Sequence, residues 1–258
     1  MPDSLTDSHA HLSYVTERLG ASCLEELAAA YGAGDGLIVD PGVDFDDFQS
    51  RKRRFGAYHF VRLAAGIWPD AESMKDAGRR IAALEMSVGD PACAAVGECG
   101  LDYHWMNGSA AEQAALFGAQ VELAVRSGKP LIVHSRLAFA PTLAMVEAAA
   151  ARIPVVIHCF GYGEDEARAF LAAGCFLSFA GNITYKKSAG LRAACAVVPD
   201  DRILLETDAP YMNPEPGRGK PSSPFDIGRT YAAVSAIRGC GPERLAALVT
   251  ANVRAIFG

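Results

Sequence analysis

The sequence predicts a TIM barrel, an α/β fold in which eight parallel strands alternate with helices around a slightly distorted barrel. The chain has 258 residues, and barrels of this kind typically have about 250. Half of the residues (50%) are hydrophobic, which is enough for a large core. Short apolar segments alternate with Ala- and Leu-rich segments along the whole chain, so residues 1–258 are expected to form one domain.

The predicted strands are short and continuously apolar, as is typical of strands that are buried on both faces of a parallel sheet. No Gly-x-Gly-x-x-Gly pattern follows the first of them, which disfavours a dinucleotide-binding fold. The regular repetition of strand and helix favours a closed barrel over an open sheet. The predicted strands lie at residues 5–9, 37–40, 61–67, 94–98, 131–134, 155–158, 176–179 and 203–207.

Helices are expected in the segments between the strands. Residues 23–30 and 140–151 are rich in the good helix formers Ala and Leu. The segment 109–112 reads Ser-Ala-Ala-Glu, which is a capping box that opens another helix. Gly174 is expected to end the helix that begins near Glu164.

Histidines and carboxylates stand at the carboxyl ends of five of the predicted strands. In TIM barrels the active site forms at this end of the strands. The two histidines of the first strand are separated by one residue, so their side chains would point to the same face. Six potential metal ligands are therefore expected to converge on one rim: His9, His11, Glu98, His134, His158 and Asp208.

Each of these residues also has a structural interpretation when it is considered alone. His134 and His158 could be core histidines, Glu98 could form a salt bridge, and Asp208 could cap the turn at Ala209. Their repeated occurrence at strand ends favours a common site instead.

The six side chains predict a site for two divalent metal ions. Four imidazoles and two carboxylates suit zinc, manganese or iron better than the all-oxygen ligand sets of magnesium or calcium. Six ligands exceed what one tetrahedral ion with an open position requires. Two ions bridged by a carboxylate fit this number of ligands, and the identity of the metal stays open between zinc, manganese and magnesium.

Such a centre predicts a hydrolase that uses a metal-activated water. Two cations can lower the pKa of bound water from about 15.7 to about 7. Asp208, at the rim, is the candidate acceptor for the proton of that water, and Asp208 and Glu98 are the candidate catalytic residues.

Three cations are candidates for binding a phosphate group of the substrate. Arg136 follows His134 by two residues and could bind a phosphate bidentately, or it could form a loop salt bridge. Lys186 follows the seventh strand, and Lys220 lies in the Pro- and Gly-rich segment 213–224, which is expected to form a long loop after the eighth strand. These two loops often form the phosphate site of a TIM barrel, although both lysines could simply be solvated.

Other polar and aromatic residues are expected near the same rim. Trp68 and Tyr103 could stack on a nucleic-acid base or serve in packing. Asp102 and Asn182 could orient the imidazoles of the metal ligands from behind.

Charge and composition exclude several classes of protein. The net charge of −6 disfavours a protein that tracks long duplex DNA, which usually presents a basic face. The basic run 51–54 is expected to end the helix after the second strand, where cations complement the helix dipole. No apolar run approaches the roughly 20 residues of a membrane span. The seven scattered cysteines and the lack of a secretory signal predict a cytoplasmic protein with reduced thiols.

Five sequence blocks, in order along the chain, resemble those of the TatD-related deoxyribonucleases, a family of metal-dependent hydrolases. The resemblance extends over nearly the whole chain. The blocks are Asp-Ser-His-Ala-His-Leu at 7–12, Val-Gly-Glu-Cys-Gly-Leu-Asp-Tyr at 96–103, Ile-Val-His-Ser-Arg at 132–136, Ile-His-Cys-Phe at 157–160 and Leu-Glu-Thr-Asp-Ala-Pro-Tyr at 205–211.

The resemblance implies a role for each ligand and a substrate. His9, His11 and Asp208 would hold one metal ion, His134 and His158 would hold the other, and Glu98 would bridge the two. The family hydrolyses phosphodiester bonds in DNA, often as an exonuclease, so DNA ends or short oligonucleotides are the implied substrate.

Two segments depart from the family pattern. The family usually has Gly-x-His-Pro-His after the third strand, whereas this chain has Trp68 and Asp70 in place of the two histidines. In the segment 219–224 the Arg and Asn that the family usually has are missing. The alternatives of an amidohydrolase that cleaves an amide, ester or lactone in a small molecule, and of a non-enzymatic metal-binding protein, therefore stay open.

Overall fold

Seven parallel strands form one curled sheet in the computed structural model of the chain, which describes residues 5–258. Each strand pairs with the next strand along the sequence, as the alternation of strands and helices predicts. The strands are β1 (Ile38–Asp40), β2 (Val61–Ala65), β3 (Cys93–Asp102), β4 (Leu131–Arg136), β5 (Val155–Ile157), β6 (Phe176–Phe179) and β7 (Ile203–Leu205).

The segment 7–11 lies between the first and the last strand of this sheet. On one side, the amide of Asp7 donates a hydrogen bond to the carbonyl of Leu37, at 2.7 Å. On the other side, the amide of Ser8 donates to the carbonyl of Leu205, at 2.9 Å. The segment therefore occupies the eighth position, and the predicted α/β barrel is confirmed.

The prediction of a continuous strand at residues 5–9 is wrong in detail, because only isolated bridges form at Asp7 and Ala10. The Asp7 carboxylate accepts hydrogen bonds from the amides of His9, at 3.2 Å, and Thr207, at 2.9 Å. The Asp7 side chain thus takes the place of backbone carbonyls as the acceptor for these two amides. This replacement interrupts the ladder of backbone hydrogen bonds, and with it the strand.

The helices alternate with the strands, and each helix that the sequence predicts is present. The capping box at Ser109 and Glu112 is formed, and Gly174 has a positive φ of 94° just after the helix that it was expected to end. The α-helices are α1 (Leu12–Leu19), α2 (Ser22–Tyr31), α3 (Phe48–Phe55), α4 (Ala77–Val88), α5 (Ala110–Ser127), α6 (Phe139–Ala150), α7 (Glu164–Ala172), α8 (Ala189–Val197), α9 (Ile227–Arg238) and α10 (Pro242–Phe257). Short 3₁₀ helices occur at Gly181–Thr184 and Pro224–Asp226.

The strands end at slightly different residues from those predicted. β3 continues four residues beyond Glu98, which therefore lies inside the strand and not at its end. β4 includes His134 and continues to Arg136. His158 directly follows β5, and Asp208 follows the end of β7 by three residues. The candidate ligands thus come from a strand interior as well as from strand ends.

All seven cysteines are free thiols, and five of them are buried. Within residues 5–258, no helix combines the length and the apolar character that a membrane crossing requires.

The basic run 51–54 contains one buried and structurally distinct member. Lys52, Arg53 and Arg54 lie in the last turn of α3, as predicted. Arg51 is only 4% exposed, and it forms ion pairs with Asp40, at 2.9 Å, and Asp47, at 2.8 Å. Its guanidinium therefore ties α3 to the end of β1.

We expect Arg51→Ala to lower the free energy of unfolding by about 3–5 kcal/mol, because Asp40 would be left as a buried carboxylate without its partner. Urea denaturation followed by circular dichroism measures this change. Lys52→Ala is the matched control: Lys52 pairs with Asp90 at the surface, and its loss should change stability by at most about 1 kcal/mol. Equal unfolding midpoints for the two variants would contradict the structural role of Arg51.

Candidate metal centre

The six predicted ligands lie together at the carboxyl end of the barrel, in two clusters of three. Within each cluster, one potential ligand atom from each residue lies within 4.8 Å of the others. The first cluster consists of His9, His11 and Asp208, and the second cluster consists of Glu98, His134 and His158.

The carboxylate of Glu98 lies between the two clusters and directs one oxygen to each. Its Oε2 lies 3.3 Å from Nε2 of His9 and 3.4 Å from Nε2 of His11. Its Oε1 lies 3.1 Å from Nδ1 of His134 and 3.0 Å from Nε2 of His158. A carboxylate in this position could bridge two ions.

An irregularity in β3 places Glu98 at this point. The pairing of β3 with β4 shifts register between Val96 and Cys99, and such bulges re-aim a side chain. The amide of Glu98 donates to the carbonyl of Gly42, at 2.7 Å, instead of to the neighbouring strand. Gly100 follows with a φ of 150°, and a Cβ there would overlap the carbonyl oxygen of His134.

Two further carboxylates orient the histidines of the second cluster from behind. Asp102 Oδ2 lies 2.9 Å from Nε2 of His134, in agreement with the predicted role of Asp102 in orienting an imidazole. Glu206 Oε1 lies 3.3 Å from Nδ1 of His158 and also accepts the amide of Cys159, at 2.8 Å. A proton held on the far nitrogen leaves the lone pair of each imidazole directed at Glu98.

Glu206 is not among the residues that the sequence predicted for the site. Its signal was available, because Glu206 precedes Asp208 by two residues, and side chains two apart in an extended segment point to the same face. The other expected partner, Asn182, does not bond an imidazole within residues 5–258, and its Oδ1 is buried without a hydrogen-bond partner. That prediction was wrong.

The donor set suits metal ions. Lone pairs of imidazoles that face a carboxylate at 3.0–3.4 Å repel its oxygens unless a cation or a proton lies between them. Metal–ligand distances of about 2.0–2.2 Å in a tetrahedral site place the ligands about 3.3–3.6 Å apart. The separations of 3.3 Å and 3.4 Å at His9 and His11 agree with this range, and those of 3.1 Å and 3.0 Å at His134 and His158 are slightly shorter. The buried His/Glu/Asp clusters are therefore able to bind metal.

The electrostatics of the centre keep its carboxylates ionised. Burial alone would raise the pKa of Glu98. When the imidazole nitrogens that face Glu98 carry protons in place of a cation, the charge of His158 and hydrogen bonds from His134, His158 and His9 hold that pKa well below its usual range. Burial likewise opposes ionisation of Asp208, yet the hydrogen bond from His11 and the nearby imidazoles lower its pKa.

Asp7 holds the two halves of the first cluster together. Its carboxylate accepts the amide and the hydroxyl of Thr207, at 2.9 Å and 2.6 Å. The next residue, Asp208, donates its amide to the carbonyl of His9, at 2.9 Å. Burial raises the pKa of Asp7 to about 7, although its hydrogen bonds with Thr207 and His9 lower that pKa.

The three predicted phosphate-binding cations lie on loops or strand ends at the same end of the barrel. Arg136 is the last residue of β4, and its guanidinium carbon lies 5.8 Å from the centre of the Trp105 ring. Lys186 lies in the turn before α8, and Lys220 lies in the loop between β7 and the 3₁₀ helix at Pro224–Asp226. All three are exposed. Their role as substrate ligands stays a prediction.

Trp68, which stands where the family usually has a histidine, packs its ring edge-on against His134, with the ring centres 5.7 Å apart. It is only partly buried. Trp68 thus borders the second cluster, where it contacts the ligand His134 directly.

An acidic cavity of about 310 Å³ lies beside the first cluster. Its lining includes His11, one cation, Arg51, and five carboxylates: Glu17, Asp40, Asp44, Asp46 and Asp47. Asp40 and Asp47 are paired with Arg51. The two sides of the centre therefore differ in charge. Carboxylates lie near His11, whereas the cation Arg136 lies on β4, the strand that carries His134.

Comparison with known proteins gives one consistent family. The family profile described as "TatD related DNase" matches residues 6–258. The Mycobacterium tuberculosis protein named "Uncharacterized metal-dependent hydrolase TatD" is 32% identical over 260 residues, which cover 98% of both chains. The Cronobacter sakazakii protein named "3'-5' ssDNA/RNA exonuclease TatD" is 32% identical over 240 residues, which cover 90% of both chains.

Solved structures give the same result. The crystal structure of YjjV, a TatD homologue from Escherichia coli K12, superposes with a TM-score of 0.85 at 25% identity, over 98% of this chain and 97% of that chain. A TatD-family hydrolase from Entamoeba histolytica has the same fold, with a TM-score of 0.82 at 18% identity over 100% and 99% of the two chains.

We expect Glu206→Ala to weaken metal binding about 10–100-fold, because His158 would lose the partner that fixes its tautomer and ring orientation. Glu206→Gln keeps a hydrogen-bond acceptor and should lose less. Competition with a chromogenic chelator during manganese or zinc titration measures the affinity.

Glu166→Gln is the control for this experiment, because Glu166 caps α7 through the amide of Gly163 and lies outside both clusters. An affinity of Glu206→Ala equal to that of the Glu166→Gln control would show that Glu206 does not support the ligand.

Proposed function

The chain belongs to the TatD-related DNase family of metal-dependent hydrolases, and from this premise we propose that it cleaves phosphodiester bonds of DNA with a binuclear metal centre. The observation that carries the proposal is the position of Glu98, whose two oxygens face two separate clusters of imidazoles. One ion would be held by the first cluster and a second ion by the second cluster. Zinc, manganese and magnesium are the candidate metals.

Each residue of the centre would have a defined role in binding the two ions. His9, His11 and Asp208 would hold one ion, His134 and His158 would hold the other, and Glu98 would contact both. When bound, divalent cations in such a site lower the pKa of a water molecule and neutralise charge that develops on a phosphate in the transition state.

Asp208 is the proposed proton acceptor. Its environment keeps the carboxylate ionised, so that it is available as a base near neutral pH. Its side chain is buried apart from a small exposed fraction of 10%, so a water or a substrate oxygen can reach it from the rim. After accepting the proton, Asp208 would pass it to the leaving oxygen.

The substrate is proposed to be a DNA end or a short oligonucleotide. The relative from Cronobacter sakazakii is named as a 3'-5' exonuclease of ssDNA and RNA, which supports action from an end. The exposed cations Arg136, Lys186 and Lys220 would bind phosphates on either side of the cleaved bond. The net charge of −6 is compatible with short substrates, which need only a local positive site.

A second candidate function is hydrolysis of an amide, ester or lactone bond in a small molecule. The acidic cavity beside His11 favours it, because a wall of carboxylates repels a polyanion and would accept a neutral or cationic group. The absence of both family histidines at Trp68 and Asp70 leaves the same option open.

The chain is further proposed to be one domain over residues 1–258 and to work in the cytoplasm. The family match over residues 6–258 supports one unit. The seven free cysteines support a reducing compartment.

We expect Asp208→Asn to reduce DNA cleavage by about 10²–10⁴-fold, because the amide cannot accept the proton of the attacking water. His134→Ala should abolish cleavage by removing a ligand of the second cluster. The measurement uses end-labelled single-stranded and double-stranded DNA with protein that has been loaded with manganese, zinc or magnesium in parallel. Circular dichroism confirms that each variant is folded.

A ladder of shortened products that disappears in Asp208→Asn would support the nuclease, and the position of the label gives its direction. Undiminished turnover by folded Asp208→Asn would refute the role of this residue. If protein with bound metal leaves every DNA substrate intact but hydrolyses an ester or lactone, the second candidate function replaces the first.

A further inference from the structure

An exposed tryptophan lies next to the second cluster. Trp105 is 63% exposed, although large aromatic side chains are usually buried. It lies in the loop 103–109, which follows β3 at the end of the barrel that carries the metal centre. The guanidinium of Arg136 lies over its ring, at 5.8 Å from the centre. An indole, which can stack on a base, and a guanidinium, which can bind a phosphate, are therefore adjacent.

The carboxylate of Asp102 connects this tryptophan to the metal centre. Its Oδ1 accepts the amides of His104 and Trp105, each at 2.9 Å. Its Oδ2 lies 2.9 Å from His134, whose other nitrogen faces Glu98. One side chain thus fixes both a ligand histidine and the backbone that carries Trp105.

Gln113 of α5 secures the loop at both of its ends. Its amide nitrogen lies 3.0 Å from the carbonyl of Asp102 and 3.0 Å from the carbonyl of Asn107. The amide of Tyr103 donates to the carbonyl of Arg136, at 2.9 Å, which joins the loop to β4. The backbone that carries Trp105 and Arg136 is therefore held in place before any substrate binds, which lowers the entropic cost of binding.

The charge of this region suits a nucleotide. Arg136 forms no ion pair with a carboxylate anywhere in the described range 5–258, so its guanidinium is available to a phosphate. The lining of the acidic cavity includes His11 of the first cluster and no residue of the second cluster. A polyanionic strand is therefore expected to bind on the side of Arg136.

We propose that Trp105 and Arg136 form a subsite for one unpaired nucleotide next to the cleaved phosphate, with the indole stacking on the base and the guanidinium binding a phosphate. The inference rests on the proposed nuclease function and extends it to a specificity residue. A base inside a duplex has no free face for the indole, so the subsite selects single-stranded ends.

Fluorescence tests the contact directly. The chain has two tryptophans, and Trp68→Phe leaves Trp105 as the only reporter. In metal-loaded Trp68→Phe protein, addition of a short single-stranded oligonucleotide with nuclease-resistant phosphorothioate linkages should quench this fluorescence in a saturable way. An oligonucleotide of the same length without bases should bind more weakly and leave the fluorescence largely unquenched.

Kinetics test the contribution to specificity. Trp105→Ala should raise KM for a single-stranded oligonucleotide by about fivefold or more, because one stacking contact is lost. The same change should raise KM for bis(p-nitrophenyl) phosphate, which has no base, by a clearly smaller factor. Trp105→Phe keeps an aromatic face and should retain part of the affinity. Arg136→Ala should raise KM for the oligonucleotide and make it less sensitive to salt.

Arg202 provides the matched control. It lies 4.9 Å from the ring centre of Phe176, in the same kind of contact, but it precedes β7 and therefore lies at the opposite end of the barrel. Arg202→Ala should leave KM for the oligonucleotide unchanged.

Cleavage of the oligonucleotide by Trp105→Ala with the KM of the wild type, or quenching that is equal with and without bases, would overturn the subsite and leave the nuclease function standing. Failure of the wild type with bound metal to cleave any nucleic acid would overturn the nuclease function and the subsite with it.

Discussion

The position of the Glu98 carboxylate is the constraint on which the rest of the site depends. Its oxygens lie within 3.0–3.4 Å of nitrogens from four histidines that come from three separate parts of the barrel. Burying an ionised carboxylate of this kind costs free energy unless positive charge surrounds it. Protonated imidazoles or bound cations would supply that positive charge. The bulge in β3 lies at this point and re-aims the side chain of residue 98, which a regular strand would direct differently.

An outer layer of carboxylates holds these imidazoles in place. Asp102 contacts His134, and Glu206 contacts His158, so each ring of the second cluster has a fixed orientation. Asp7 joins the first and last segments of the barrel through Thr207, and this closure brings His9 beside Asp208. The eighth position of the barrel is thus closed partly by side-chain chemistry, which explains why it contains bridges and not a regular strand. The closure of the barrel and the candidate metal centre therefore involve neighbouring residues of the same two segments.

Much of this arrangement could be predicted from the sequence, because a parallel barrel brings the carboxyl ends of all its strands to one rim. Short apolar runs predicted the last seven strands, Ala- and Leu-rich segments predicted helices between them, and the residue types at the strand ends predicted the six candidate ligands. The burial of Arg51 could not be predicted, because local sequence shows only a basic run, whereas its partner Asp40 is brought to it by the packing of α3. The irregular first segment and the role of Glu206 likewise depend on contacts between residues that are distant in the sequence.

The proposed role of Glu98 is to join two metal sites. Anomalous diffraction from crystals grown with manganese, collected on the low-energy and high-energy sides of the manganese edge, can locate the ions. We expect two anomalous peaks, one near each oxygen of Glu98, with the first surrounded by His9, His11 and Asp208 and the second by His134 and His158. A single peak at full occupancy, with the other cluster held together by hydrogen bonds alone, would rule out a bridging Glu98.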